Sequence, residues 1–120
     1  MSLQARVRNA DFLSRRMSAA QAAQLIEHGA TLGLSGFTGA GYPKALPQAI
    51  AERARAEHAA GRPFQVNVWT GASTAPELDG ALAKVDGIDM RLPFQSDPIC
   101  REKINTGEMV VQWAVDGRGI

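Results

Sequence analysis

The chain has little of what would classify it quickly. It holds one cysteine, Cys100, in 120 residues. No intramolecular disulfide can form, which is compatible with a reducing, cytoplasmic setting. It has two histidines, His28 and His58. Both fall near the ends of expected helices, and neither has a Cys, Asp or Glu partner at metal-ligand spacing. Neither is assigned a metal or proton-transfer role. Charge of one sign is also missing: 13 basic residues face 12 acidic ones, a net charge of +1. No field is built to draw in nucleic acid or a membrane surface. No apolar run approaches the roughly 20 residues that cross a bilayer. Residues 1–16 scatter Arg6, Arg8, Arg15 and Arg16 among apolar positions. They lack the continuous apolar stretch of a secretory signal, and Asp11 and the scarcity of serine argue against a transit peptide. A solvated arm is expected there.

Hydrophobic residues at 45% and charged residues at 21% are those of a globular domain. Neither an internal repeat nor a low-complexity linker interrupts it. Ser18 and Gln21 form a capping box that predicts a helix over Ser18–His28, closed by Gly29, with Ala22, Leu25 and Ile26 inward. A short strand is expected over Thr31–Ser35. A helix opened by Pro47 should run to about Ala60, burying Leu46, Ile50, Ala51 and Ala54. A second strand is expected over Gln65–Thr70, then a helix to about Ala83 opened by a Thr74/Glu77 capping box. A third strand is expected over Ile88–Leu92, then a helix over Asp97–Asn105 with Ser96 as its N-cap and Gly107 beyond its end. This alternation predicts an α/β fold, a mainly parallel sheet flanked by helices.

The densest signal is Gly33-Leu-Ser-Gly-Phe-Thr-Gly-Ala-Gly-Tyr-Pro-Lys44. A glycine loop between a strand and a helix can present free N–H groups and a positive helix end to an anion. It can equally be a tight turn without a ligand. It is not a Walker A loop: Gly36 and Gly41 have the first spacing, but Tyr42-Pro43 follow and Lys44 lacks its Ser/Thr. It is not a dinucleotide fingerprint either, because the order is G-x-x-G-x-G. Two further loops, 71–74 and 93–96, fall at strand carboxyl ends, where ligands of such folds collect. Ser73 lacks the G-x-S-x-G surroundings of a nucleophile. It and Ser96 either cap helices or offer a hydroxyl to a carboxylate. Cys100 pairs with Ile104 at i, i+4 and reads as core. Trp69 and Phe94 read as packing residues beside the loops. No general acid–base pair stands out.

Four blocks in order, Ser35-Gly-Phe-Thr-Gly-Ala-Gly-Tyr-Pro-Lys44, Trp69-Thr-Gly-Ala-Ser-Thr74, Leu78-Asp-Gly80 and Arg91-Leu-Pro-Phe94, closely resemble the amino-terminal part of the acetyl-CoA hydrolase/transferase family. Within it, they are most like the succinyl-CoA:acetate CoA-transferases. The likeness runs from about residue 5 to Glu108 and covers only about the first quarter of a family chain of two α/β halves. It implies a partial CoA-transferase-like (NagB/RpiA-type) domain at 17–108 after the arm at 1–16. The tail at 109–120 departs from the family pattern. The implied chemistry is CoA exchange between acyl-CoA and a carboxylate such as acetate or succinate, through a glutamyl-CoA thioester. The glutamate belongs to the other half, so this chain holds no catalytic residue. The implied pocket residues are Gly36, Phe37, Thr38, Gly39, Ala40, Gly41, Lys44, Gly71, Ala72, Ser73, Thr74 and Ser96. CoA enters as substrate, with no covalent cofactor, no metal, no nucleic acid and no membrane. A homo-oligomer such as a dimer, or self-association through an open sheet edge, is implied as well. A non-catalytic module binding CoA or a carboxylate is the alternative.

Overall fold

The computed structural model describes residues 2–112. Its centre is a four-stranded parallel sheet of β1 (Thr31–Gly33), β2 (Val66–Trp69), β3 (Ile88–Leu92) and β4 (Val110–Val111), in that spatial order. A helical crossover joins each strand to its neighbour: α4 (Leu46–Ala59), then a π-helical turn (Pro76–Gly80) running into α5 (Ala81–Lys84), then α6 (Pro98–Asn105). Parallel crossovers of one hand put successive helices on the same face. Accordingly α4 packs on α5 and α5 on α6. The core lies between that layer and the sheet, formed by Ile50, Ala51 and Ala54 of α4, Val66 and Val68 of β2, and Leu78, Leu82, Ile88 and Cys100. The α/β architecture expected from the alternation is present.

α4 follows its sequence closely. Pro47 sits in its first turn and is buried with Ile50, Ala51 and Ala54 along one stripe. Two short helices, α1 (Leu3–Arg6) and α2 (Ala10–Ser14), occupy the arm and bury nothing.

Several expectations need correcting. α3 (Ala19–Gln24) keeps both halves of the Ser18/Gln21 capping box but stops well before His28. The Arg53 guanidinium reaches across from α4 and donates to the carbonyls of Ala23 and Ile26, satisfying groups that a longer helix would have used. Ala23 is therefore the buried residue, and Leu25 is 70% exposed. The Thr74/Glu77 box does not form: the next helical turn is preceded by Ala75 and has no side-chain cap. Nor does Ser96 cap α6. Asp97 does, accepting from Ile99 N and Cys100 N at 3.0 Å each. Pro98 at the first helical position fixes the residue before it as the cap. Trp69 and Phe94 flank the loops half-covered, at 37% and 42% exposure.

Met109 is buried and β4 follows it, pairing Val110 with Met90 and Val111 with Arg91. The sheet thus continues past Glu108. The rest of the tail, 113–120, lies outside the described residues.

Candidate functional site

The loops after β1, β2 and β3 meet at the carboxyl ends of the strands. Their glycines are explained first by each other. A Cβ on Gly71 would collide with the Gly36 carbonyl oxygen, and a Cβ on Gly36 would collide with the Thr74 methyl. Two backbones approach here more closely than any side chain allows. The N–H groups of the glycine loop are then engaged. Phe37 and Ala40 exchange bonds across a tight turn, at 2.9 and 3.0 Å. Gly39 N donates to the Thr74 carbonyl, and Thr38 N makes a long 3.5 Å bond to Ala72 O. The loop is a clasp onto residues 71–74, so these four N–H groups do not form an open anion cradle.

Beside the clasp is a cleft of about 350 Å³, lined by Thr38, Gly39, Ser73–Pro76, Asp79 and Ser96–Pro98. That lies at the low end of the range for ligand sites, about 300–1,000 Å³. Of the residues expected from sequence, the cleft gathers Thr38, Gly39, Ser73, Thr74 and Ser96. Gly36 and Gly71 stand behind it as the close-packed pair. Phe37 is 60% exposed on the tight turn with Ala40. Gly41 accepts from Ser35 Oγ through its carbonyl, at 2.7 Å. Lys44 Nζ lies 3.1 Å from the Tyr42 ring centroid, a cation–π contact outside the cleft lining. Ala72 also lies outside the lining.

Thr38 and Ser73 both have left-handed backbones, at φ +47° and +52°. Non-glycine residues hold that region at a cost of order 1 kcal/mol, and such strain collects at functional sites. Ser73 is pinned by its N–H bond to Phe94 O at 3.1 Å. Its hydroxyl caps no helix, and neither does that of Ser96. The capping alternative falls for both.

The groups missed by sequence reasoning lie underneath. Arg91, on β3, has 0% exposure. Its Nε and Nη2 fork onto Asp79 at 2.8 and 3.0 Å. Nη1 donates to Pro93 O at 2.8 Å, and Nη2 also reaches Gly71 O at 3.0 Å and Thr74 Oγ1 at 3.4 Å. Gly80 matters because a Cβ there would sit 2.9 Å from Asp97 Oδ2. Arg91 falls three residues after Ile88 in a strand whose only buried positions are those two, and a buried cation needs a partner. The two acids of the cleft wall are therefore both engaged: Asp79 by Arg91, Asp97 by the first turn of α6. Cys100 lies behind them, with Sγ donating to Asp79 O at 3.5 Å. Burial first, and then the Asp79 and Asp97 charges, push its thiol up to about 12. It is not a nucleophile at neutral pH. Among the described residues no group of three His, Cys, Asp or Glu side chains is placed to hold a metal. No described helix is long and apolar enough to cross a membrane.

Sequence comparison gives the family. Residues 1–113 match the family model of the acetyl-CoA hydrolase/transferase N-terminal domain. The chain belongs to the acetyl-CoA hydrolase/transferase family. It is 46% identical over 92 residues to the propanoyl-CoA:succinate CoA transferase of Escherichia coli, covering 77% of this chain and 19% of that protein. It is 38% identical over 104 residues to the succinyl-CoA:acetate CoA-transferase of Clostridium kluyveri, covering 87% and 19%. It is 36% identical over 107 residues to the acetyl-CoA hydrolase of Saccharomyces cerevisiae, covering 89% and 20%. The chain thus spans about a fifth of the length of these relatives, less than the quarter expected from the motifs.

Proposed function

We propose that this chain forms the amino-terminal wall of the acyl and carboxylate site of a CoA-transferase or acetyl-CoA hydrolase. The observation that carries the reading is the meeting of Thr38, Ser73 and Ser96 in one cleft whose acids are already engaged. A small carboxylate such as acetate or succinate is an acceptor of hydrogen bonds, and hydroxyls supply donors without adding charge. A free carboxylate on the wall would repel it; Asp79 and Asp97 are instead tied to Arg91 and to the N–H groups of α6. The reaction moves CoA from an acyl-CoA to an acceptor carboxylate. The attacking glutamate bonds to the acyl carbon as CoA leaves, giving an acyl-glutamyl anhydride. The CoA thiolate attacks the glutamyl carbonyl and releases the donor carboxylate, leaving a glutamyl-CoA thioester. The acceptor carboxylate displaces CoA to form a second anhydride, and CoA attacks its acyl carbon, releasing the new acyl-CoA and the free glutamate. The hydroxyls of the cleft would hold the carboxylate and the oxyanions that develop along this path. CoA is substrate here, and the attacking carboxylate comes from outside these residues, since no unengaged carboxylate lines the cleft among those described.

Two measurements on the 120-residue chain separate this from a stand-alone binding module. With acetyl-CoA and succinate, the proposal expects no CoA transfer; turnover on the enzyme scale of about 1–1,000 s⁻¹ would overturn it. Calorimetry with CoA, acetate and succinate expects weak binding at best; binding tighter than about 1 mM by this chain favours the module.

A further inference from the structure

We propose that Arg91 is the positioning residue of this cleft: its guanidinium sets the separation of the two hydroxyl-bearing loops that bring Ser73 and Ser96 to one cleft. The cleft's use for a carboxylate rests on the reading above; the positioning rests on geometry alone. Among the described residues, Arg91 is the one side chain with hydrogen bonds to all three pieces around the cleft. It holds Gly71 O and Thr74 Oγ1 on the loop after β2, Pro93 O on the loop after β3, and Asp79 on the π-helical turn. The two loops have a direct link in Ser73 N to Phe94 O. Arg91 lies beneath that link, and its fork is planar and rigid. Lysine would keep the charge but could not bond to all of these acceptors in their fixed directions. Arg91 also engages Asp79, so its loss would leave an unmatched carboxylate on the cleft wall.

The test is backbone amide exchange by NMR on the full 120-residue chain, comparing wild type with Arg91→Lys. The reporters are Ser73, bonded to Phe94, and Val66 and Asn67, bonded to Gly87 and Ala30 at the other end of the sheet. A positioning role predicts that protection of Ser73 falls at least about tenfold while Val66 and Asn67 stay within about threefold. The three-bond H–N–Cα–H coupling of Ser73 should also leave its left-handed value. A uniform loss at all three amides would make Arg91 a general stability element and overturn the proposal; no change at Ser73 would overturn it too. Should Arg91→Lys lose its cooperative melt, Asp79→Asn, which keeps the shape and one acceptor oxygen, is read by the same criteria. Acetate is titrated into the wild type in parallel, watching the Ser73 and Ser96 amides. Shifts at those amides would support the carboxylate reading, whose failure is read instead from Ser73→Ala kinetics in a complete enzyme; the exchange pattern decides the role of Arg91 in either case.

Discussion

Gly71 and Gly41 show why glycines in one loop region are not equivalent. A Cβ at Gly71 meets the Gly36 carbonyl, which is backbone and cannot move aside. Gly71→Ala should destabilise by at least about 3 kcal/mol in urea titrations, the range for severe overpacking. Gly41 has φ +73° and nothing within 4 Å of its would-be Cβ. Gly41→Ala should cost about 1 kcal/mol, the left-handed penalty alone. Equal costs would contradict the clasp. Cys100 provides a pH test. Its thiol is pushed up to about 12 in the folded state from the ordinary thiol value of 9.0. The unfolded chain therefore releases the proton first. The stability this contributes is complete below pH 9 and declines as pH rises from about 9 towards about 12. Wild type should lose stability over that window more steeply than Cys100→Ala. At pH 8 the native thiol should be alkylated only as fast as the chain opens.

Among the elements, the start of α6 separates capping from site chemistry. Asp97→Ala should lower stability by about 1 kcal/mol, the usual value of an N-cap. Ser96→Ala should stay within about 0.5 kcal/mol. The reverse order would restore Ser96 as the cap. This pair also marks what sequence could reveal. Helix α4, strands β2 and β3 and the Ser18/Gln21 box were legible, because each rests on local spacing and local hydrogen bonds. The end of α3 was misread because a distant partner decides it, Thr74 because Arg91 joins its loop neighbours in claiming the hydroxyl, and Ser96 because Pro98, a local signal, makes Asp97 the cap instead. Thr74 is claimed by Gly71, Thr70 and Arg91, and the last carbonyls of α3 by Arg53. The same holds within the site. Thr38, Ser73 and Ser96 were visible as hydroxyls at strand ends. Asp79 and Arg91, twelve residues apart in sequence, become a pair only once the sheet is formed.

At the scale of the molecule, β1 and β4 are the outermost strands of the sheet among the described residues, and Val110 on β4 is 55% exposed. Phe12, Leu25 and Phe37 add exposed apolar area. The Cα radius of gyration is 15.8 Å, against roughly 14 Å for a compact chain of this length, as the arm adds length and buries nothing. Unpaired edges and apolar surface favour pairing with another chain. Sedimentation of the 120-residue chain should show association that grows with concentration; one monomeric species at every dilution would contradict this.

The account stands most directly on the hydroxyl of Ser73. The decisive measurement exchanges the 92-residue matched segment of the Escherichia coli relative for the residues of this chain aligned with it, and compares steady-state kinetics with and without Ser73→Ala. Loss of a hydrogen bond to a charged ligand costs about 1.5–3 kcal/mol. The account therefore predicts a fall in kcat/KM for the acceptor carboxylate of roughly 10- to 100-fold, with the melting temperature retained. Unchanged kinetic constants in a stable, active hybrid would contradict it and return Ser73 to a purely architectural role.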